Sequence, residues 1–413
     1  MTLDRRQFLV RTGAALAAGA AFADLDEVAA APEADAALDW AGVRRQFRLA
    51  PGWTHLGGLL LASHPAPVRR AIERHRRGLD ANPVHYLHER GPALEADVLR
   101  AAGAYLRARP SDIALTDSTT MGLGLLYNGL ELRAGDEVLT TTHDFFATYE
   151  ALRLKAARSG ASVRRVTLYR NAARTSADEI VSSLVGALGP RTRVIALTWV
   201  HSSTGVKLPL ARIRRELGRR NVLICVDGVH GLGVESAAVG SLGCDFLVAG
   251  CHKWLFGPRG TGFVWGRTTS WDSVSATIPS FSGSVTPGAE MTPGGFHSFE
   301  HRWALGEAFR FHMRIGKRRI EARIHALNRR LKAGLASMSH VTLVTPRSDA
   351  LSAGLVCFAV DGLSPDATVA ALRRRRVIAT VTPYNPPYAR LAPGLLNTPA
   401  DVDRALRAIR ALR

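Results

Sequence analysis

Cysteine is scarce in this chain: there are four among 413 residues, too few for a disulfide-stapled scaffold. No apolar run approaches the roughly 20 residues that a membrane-crossing helix needs. The 38 glycines follow no triplet period, which excludes a collagen-like chain. Lysine is nearly absent, at positions 155, 207, 253, 317 and 332 only, so arginine supplies almost all of the 54 basic residues. Acidic residues number 35, and the formal net charge is +19. That excess raises the question of a nucleic-acid surface. The arginines, however, fall in pairs along helix-like stretches, as at Arg69-Arg70, Arg76-Arg77, Arg214-Arg215 and Arg329-Arg330. They form no basic stripe interleaved with aromatics, so they read as solvated helix faces, and no nucleic-acid partner is expected. What is present is an ordinary globular balance of 46% hydrophobic and 22% charged residues, which excludes wholesale disorder.

The first 31 residues read as an address. Asp4-Arg5-Arg6-Gln7-Phe8-Leu9 is a twin-arginine pattern, an uncharged Ala-rich run follows over 13–23, and Ala21-Phe22-Ala23 offers a small-residue cleavage site. Export by the twin-arginine (Tat) route to the periplasm or cell exterior is the expectation, with no membrane anchor left after cleavage.

Beyond it, short apolar runs alternate with longer amphipathic ones. Strands are expected at 137–142, 162–168, 193–200, 221–226, 245–250 and 262–266. Helices are expected near 119–132, 147–159, 176–188 and 208–219. The alternation predicts an α/β fold with a mostly parallel sheet covered on both faces, its ligands at the carboxyl ends of the strands. A Gly/Pro/Ser-rich stretch at 279–295 reads as a long loop. A long helical segment over 303–338 then leads into a smaller α+β part, with strands at 353–360 and 377–381.

Three local features carry chemistry. Lys253 comes just after the apolar run 245–250, in Cys251-His252-Lys253-Trp254; a lysine there, with a shiftable pKa, suits Schiff-base formation with a carbonyl. Asp227 ends the run 221–226, where a carboxylate is costly without a cation, and a protonated pyridine nitrogen would be one. Ser118, Thr119 and Thr120 precede an apolar helix whose free N–H groups make an anion seat. An aldehyde partner, a pyridine partner and a phosphate seat together describe pyridoxal 5′-phosphate.

Two blocks, Val226-Asp227-Gly228-Val229-His230-Gly231 and Cys251-His252-Lys253-Trp254 with Gly257-Pro258-Arg259-Gly260-Thr261-Gly262, resemble the fold-type I pyridoxal-phosphate enzymes. The likeness is to the class V aminotransferases, nearest the isopenicillin N epimerase branch. The resemblance implies a large cofactor-binding domain over 66–300, preceded by an N-terminal segment at 32–65 and followed by a small domain at 301–413. It implies that Lys253 binds the aldehyde and then acts at Cα, that Asp227 pairs with the ring nitrogen, and that His252, Thr119 and Thr120 contact phosphate. It places His230 near the phenolic oxygen or the lysine side of the ring. Phe145, in Thr142-His143-Asp144-Phe145-Phe146, takes the ring-stacking position. Ser202, in Trp199-Val200-His201-Ser202-Ser203, falls near the phenolic oxygen, and Arg390 grips the substrate α-carboxylate. A homodimer is implied as well.

The sequence departs from the family at 297–302. A Gly-Thr that reaches the neighbouring subunit's phosphate is replaced by His297-Ser298-Phe299-Glu300-His301-Arg302, with Ser298 as a candidate substitute. No cysteine occurs in 382–388, ahead of Arg390, where desulfurases of the family carry theirs. No Cys/His spacing points to a metal. Transamination, epimerisation and elimination share all these parts, and so the substrate is an amino acid with its outcome open. A cofactor-free binding protein on the same fold is the non-enzymatic alternative.

Overall fold

A computed structural model describes residues 38–412; the export signal expected at 1–31 lies outside the described residues. The strands are, in chain order, β1 Thr54–His55, β2 Ile113–Thr116, β3 Glu137–Thr141, β4 Ser162–Val166, β5 Thr192–Thr198, β6 Leu223–Asp227, β7 Phe246–Gly250, β8 Gly262–Gly266, β9 Val341–Leu343, β10 Val356–Val360, β11 Val377–Ile378, β12 Thr380–Val381 and β13 Ala389–Leu391. Seven of them form one sheet in the order β2-β8-β7-β6-β5-β3-β4. Only β8 runs antiparallel, against β2 and β7. This is the α/β architecture that the alternating pattern predicts.

Strands β5 to β7 show why the runs are so apolar. Ile195, Leu197, Ile224, Val226, Leu247 and Ala249 join one buried cluster. Their alternating neighbours Val194, Ala196, Cys225, Phe246 and Val248 join another. With successive side chains pointing to opposite faces, both faces of the sheet are covered. Helices Thr119–Gly129 and Phe146–Ser159 contribute to the second cluster, and Pro83–Leu106, Ala177–Gly186, Leu210–Leu217 and Phe299–Ile315 to the first.

The small part has an antiparallel sheet in the order β12-β13-β10-β9 and a separate buried cluster built with helices Lys317–Ala336, Pro365–Arg374 and Pro399–Arg410. The segment expected as one helix over 303–338 is two. Gly316 at φ 94° divides Phe299–Ile315 from Lys317–Ala336, a backbone conformation that glycine adopts readily. The first lies against helices Ala66–Ala81 and Pro83–Leu106 of the large layer, whereas the second packs on Pro399–Arg410. The strand expected at 377–381 is likewise two short pieces, β11 pairing with β1 and β12 with β13.

Candidate active site

The parallel strands deliver their functional side chains to one edge. Ser118 follows β2, Phe145 follows β3, Ser202 follows β5, Asp227 ends β6, and His252 and Lys253 follow β7. Apart from the adjacent His252 and Lys253, sequence proximity places none of these together; the sheet order does.

At the β2 end, Ser118 Oγ accepts the Met121 N–H at 3.1 Å and caps helix Thr119–Gly129. That helix lies so close to β7 that a Cβ on Gly122 would come within 2.5 Å of Val248 Cγ1. The helix N-terminus is therefore held beside the end of β7, where Thr119 Oγ1 accepts the Gly250 N–H at 2.8 Å. A Cβ on Gly250 would meet Thr119 Oγ1 at 3.0 Å and His252 Cε1 at 3.1 Å, and one on Gly262 would meet Thr116 Oγ1 at 3.0 Å. The missing side chains leave a cradle of hydroxyls, free helix N–H groups and an imidazole, a donor set that fits a phosphate.

Asp227 is buried, and its Oδ1 accepts the Val229 N–H at 3.0 Å. Burial raises its pKa to about 6, against the lowering effect of that bond and of Lys253. Lys253 is half-buried; burial lowers its pKa to about 8, Asp227 works against this, and Arg390 adds to it. Among the described residues its amine has no hydrogen-bond partner within the protein. A buried acid and an unengaged amine, each poorly disposed to its charged form, fit a group bringing an aldehyde and a basic nitrogen.

His230 is buried, and its Nδ1 accepts the Trp254 indole N–H at 3.2 Å. Burial, then Lys253 and Arg390, hold its pKa well below the usual imidazole range. It is therefore neutral, with its proton on Nε2. His252 is lowered too, by burial first and then by Lys253 and Arg259.

Phe145 is set by Asp144. The fully buried Asp144 carboxylate takes three bonds on Oδ2, from Thr140 Oγ1 (2.8 Å), the Thr141 N–H (2.7 Å) and Thr141 Oγ1 (2.8 Å). This lock turns the chain out of β3 and fixes the position of Phe145 at the start of helix Phe146–Ser159. Arg390 comes from β13 in the small part. It is buried and donates to Thr380 Oγ1 (2.9 Å) and to the Ser202 carbonyl (2.9 Å). Among the described residues no carboxylate lies in salt-bridge range of it.

Sequence reasoning missed several neighbours. Tyr384 shares a 2.6 Å hydrogen bond with Ser202 Oγ and lies edge-on to Phe145. Its signal was an aromatic in a Pro-rich turn six residues before Arg390. His143 stacks on Tyr169, whose hydroxyl bonds His201 Nδ1 at 2.9 Å and Thr204 Oγ1 at 2.7 Å. Ser298 is exposed at the start of helix Phe299–Ile315 and makes no side-chain cap bond. Glu235, Glu321 and His325 also converge, but Lys207 Nζ stands 2.7 Å from Glu235 and Ser236 donates to Glu321.

All four cysteines are buried and unpaired. Burial pushes the thiols of Cys244 and Cys357 up to about 12, and those of Cys225 and Cys251 up as well.

Fold and site together define a fold-type I pyridoxal-phosphate enzyme. The chain belongs to the class V aminotransferase family, whose description, "Aminotransferase class-V", matches residues 62–382. It is 28% identical over 400 residues to an isopenicillin N epimerase of Amycolatopsis lactamdurans, covering 91% of this chain and 99% of that protein. It is 27% identical to a "Probable cysteine desulfurase" of Pseudomonas aeruginosa over 76% of this chain and 80% of that one. Its fold matches a solved structure of a C-DES mutant with glycine covalently linked to the PLP cofactor, with a TM-score of 0.82 at 24% identity over 89% of this chain and 99% of that one. Pyridoxal 5′-phosphate is the cofactor.

The Lys253 shift predicts how the apoprotein takes up its cofactor. Only the free amine attacks an aldehyde, so the capture rate is expected to rise tenfold per pH unit and level off above about 8. Stopped-flow absorbance after mixing with the coenzyme measures it. A rate still climbing at pH 10 would mean an amine with an ordinary pKa.

Proposed function

We propose that this protein is an epimerase that inverts Cα of an amino-acid substrate of the isopenicillin N type. The observation that carries the reading is the combination of near full-length similarity to an isopenicillin N epimerase with the burial of all four thiols. A desulfurase that carries the sulfur on its own thiol needs an accessible cysteine ahead of Arg390, and the loop 382–388 has none and offers Tyr384 instead.

When bound, pyridoxal 5′-phosphate supplies an aldehyde for the substrate amine and a cationic ring that draws electron density from Cα. The residues do the rest. Thr119, Thr120, His252 and the helix N-terminus hold the phosphate. Asp227 holds the proton on the ring nitrogen, because its carboxylate gains most when a cation faces it. Phe145 would pack on the ring face. Arg390 takes the α-carboxylate in a planar fork and so fixes which Cα bond is broken. Lys253 Nζ, with its pKa near working pH, accepts the Cα proton.

A homodimer accompanies this reading. Phe281, Val285 and Phe296 of the long loop region stand exposed, the last two at 86% and 85%, together with Leu60 and Leu61. Apolar exposure of that size is what a subunit contact covers. We also propose export of the chain through residues 1–31; a reporter fused to them that stays cytoplasmic in a Tat-competent cell refutes this.

The test of function is incubation of the holoenzyme with isopenicillin N in deuterated water, followed by NMR and chiral chromatography. Inverted product with deuterium at Cα is expected. A keto acid would assign transamination, and released sulfide or pyruvate would assign elimination; either overturns the reading.

A further inference from the structure

Inversion at Cα needs a proton to leave one face of the carbon and another to arrive on the opposite face. Lys253 accounts for one face. The question is which group in this fold stands across from it.

The sheet order answers through position. Along the carboxyl edge the strands run β7, β6, β5, β3, and they carry Lys253, Asp227, Ser202 and Phe145 in that sequence. Asp227, which locates the ring nitrogen, therefore lies between Lys253 on one side and the Ser202–Phe145 flank on the other. Tyr384 belongs to that second flank: its hydroxyl is 2.6 Å from Ser202 Oγ and its ring is 6.3 Å from that of Phe145. Ser202 also ties the phenol to the carboxylate grip, since its carbonyl accepts Arg390 Nη1 at 2.9 Å. Cα is one bond from the carboxylate that Arg390 would hold, and the phenol is near enough to that guanidinium to feel its charge.

The other polar groups of this flank are poorly suited to the task. His201 Nδ1 and Thr204 Oγ1 are engaged with the Tyr169 hydroxyl, and that hydroxyl is buried. His143 lies stacked on Tyr169, and Asp144 Oδ2 sets the turn at Phe145. The Nε2 atoms of His143 and His201 and Asp144 Oδ1 have no hydrogen-bond partner among the described residues. Burial, however, holds both imidazoles well below their usual range, and none of the three has a neighbour among the described residues through which to exchange its proton with water. Tyr384 is only partly buried, on a surface turn, and its one side-chain partner is a serine hydroxyl that can pass a proton onward. Burial pushes its pKa upward, so the phenol carries its proton at neutral pH.

Resting on the epimerase reading, we propose that Tyr384 is the second acid–base group, acting on the face of Cα opposite Lys253. In one direction the Cα–H bond breaks to Lys253 Nζ, and a new Cα–H bond forms with the phenol proton. Tyr384 then regains a proton through Ser202 Oγ from water, and Lys253 releases its own to water. No oxidant, reductant or metal is needed. In the reverse direction Tyr384 first passes its phenol proton through Ser202 Oγ to water, against the upward push of burial, the phenolate then takes the Cα proton, and the Lys253 ammonium supplies the new one.

The test compares wild-type and Tyr384→Phe holoenzymes in deuterated water, with isopenicillin N and with its Cα epimer. The isomer whose Cα–H faces Lys253 should still exchange that hydrogen within about threefold of the wild-type rate, while inversion falls by about 100-fold or more. The other isomer should lose exchange and inversion together. Visible absorbance and Tm should match wild type, so that loss of fold or cofactor is read separately. Tyr384→His should recover part of the inversion with a pH dependence in the imidazole range, which a structural role would not produce. Retained inversion in Tyr384→Phe, or equal loss of exchange for both isomers with the spectrum intact, overturns the assignment. If the wild-type enzyme itself exchanges no Cα hydrogen, the epimerase reading falls and this assignment with it.

Discussion

Lys253→Ala is expected to leave a folded protein that borohydride cannot join covalently to its cofactor and whose Cα-exchange rate is lower by about 10³-fold or more. The expectation follows from where the amine sits. It follows a fully buried strand, feels the charge of Asp227, and has no internal hydrogen-bond partner among the described residues. Such an amine is held in reserve for a ligand. Its loss should not harm the fold. The folded pKa of about 8 lies below the ordinary lysine value of 10.5, so the ammonium form is disfavoured by folding. That cost is present in full below pH 8 and vanishes above the unfolded pKa. At pH 7 the Lys253→Ala apoprotein should therefore melt at the wild-type temperature or above it. Borohydride treatment of the wild-type holoenzyme followed by peptide mass mapping should tag Lys253. A tag elsewhere, or borohydride fixing the cofactor to the polypeptide of Lys253→Ala, would remove the lysine from its role.

How much of this was legible beforehand differs between residues. The runs forming β5, β6 and β7 were readable because both faces of those strands are covered, which leaves an almost unbroken apolar signature. The residues after them stood out for the same reason, since Asp227 and Lys253 are charges at the ends of buried runs. β2 was not readable. It is four residues long, and its place at the sheet edge is set by pairing with β8, about 150 residues away in the chain. The break at Gly316 was hidden because apolar periodicity resumes on its far side, and only the positive φ marks it. Tyr384 was hidden for a further reason. Its importance lies in a contact with Ser202, and that contact spans 182 positions. Local pattern reports burial and turns; it cannot report which distant hydroxyl a side chain will meet.

Arg390 yields the other large expected effect, on substrate rather than cofactor. The residue is only 4% exposed, and its bonds go to neutral oxygens only: Thr380 Oγ1, the Ser202 carbonyl and, at 3.4 Å, the Val381 carbonyl. Burial lowers its pKa, which is to say that the folded protein holds this cation at a cost. A carboxylate arriving beside it removes that cost and adds two charge-assisted hydrogen bonds, together about 2–5 kcal/mol for a buried charge pair. Arg390→Leu is therefore expected to raise KM for the amino acid by about 10²–10³-fold, and Arg390→Lys by less, since an ammonium keeps the charge but not the fork. The affinity for pyridoxal 5′-phosphate should stay near wild type in both, because the phosphate seat lies at the β2 and β7 ends, not on β13. A thermal assay separates the two roles without turnover. A non-reactive carboxylate that fills the wild-type site at 100 times its Kd should stabilise the holoenzyme by about 2.7 kcal/mol. In Arg390→Leu the same carboxylate should leave Tm unmoved. Equal losses of carboxylate and cofactor binding would mean that Arg390 props the domain contact at Ser202 and does not read the substrate.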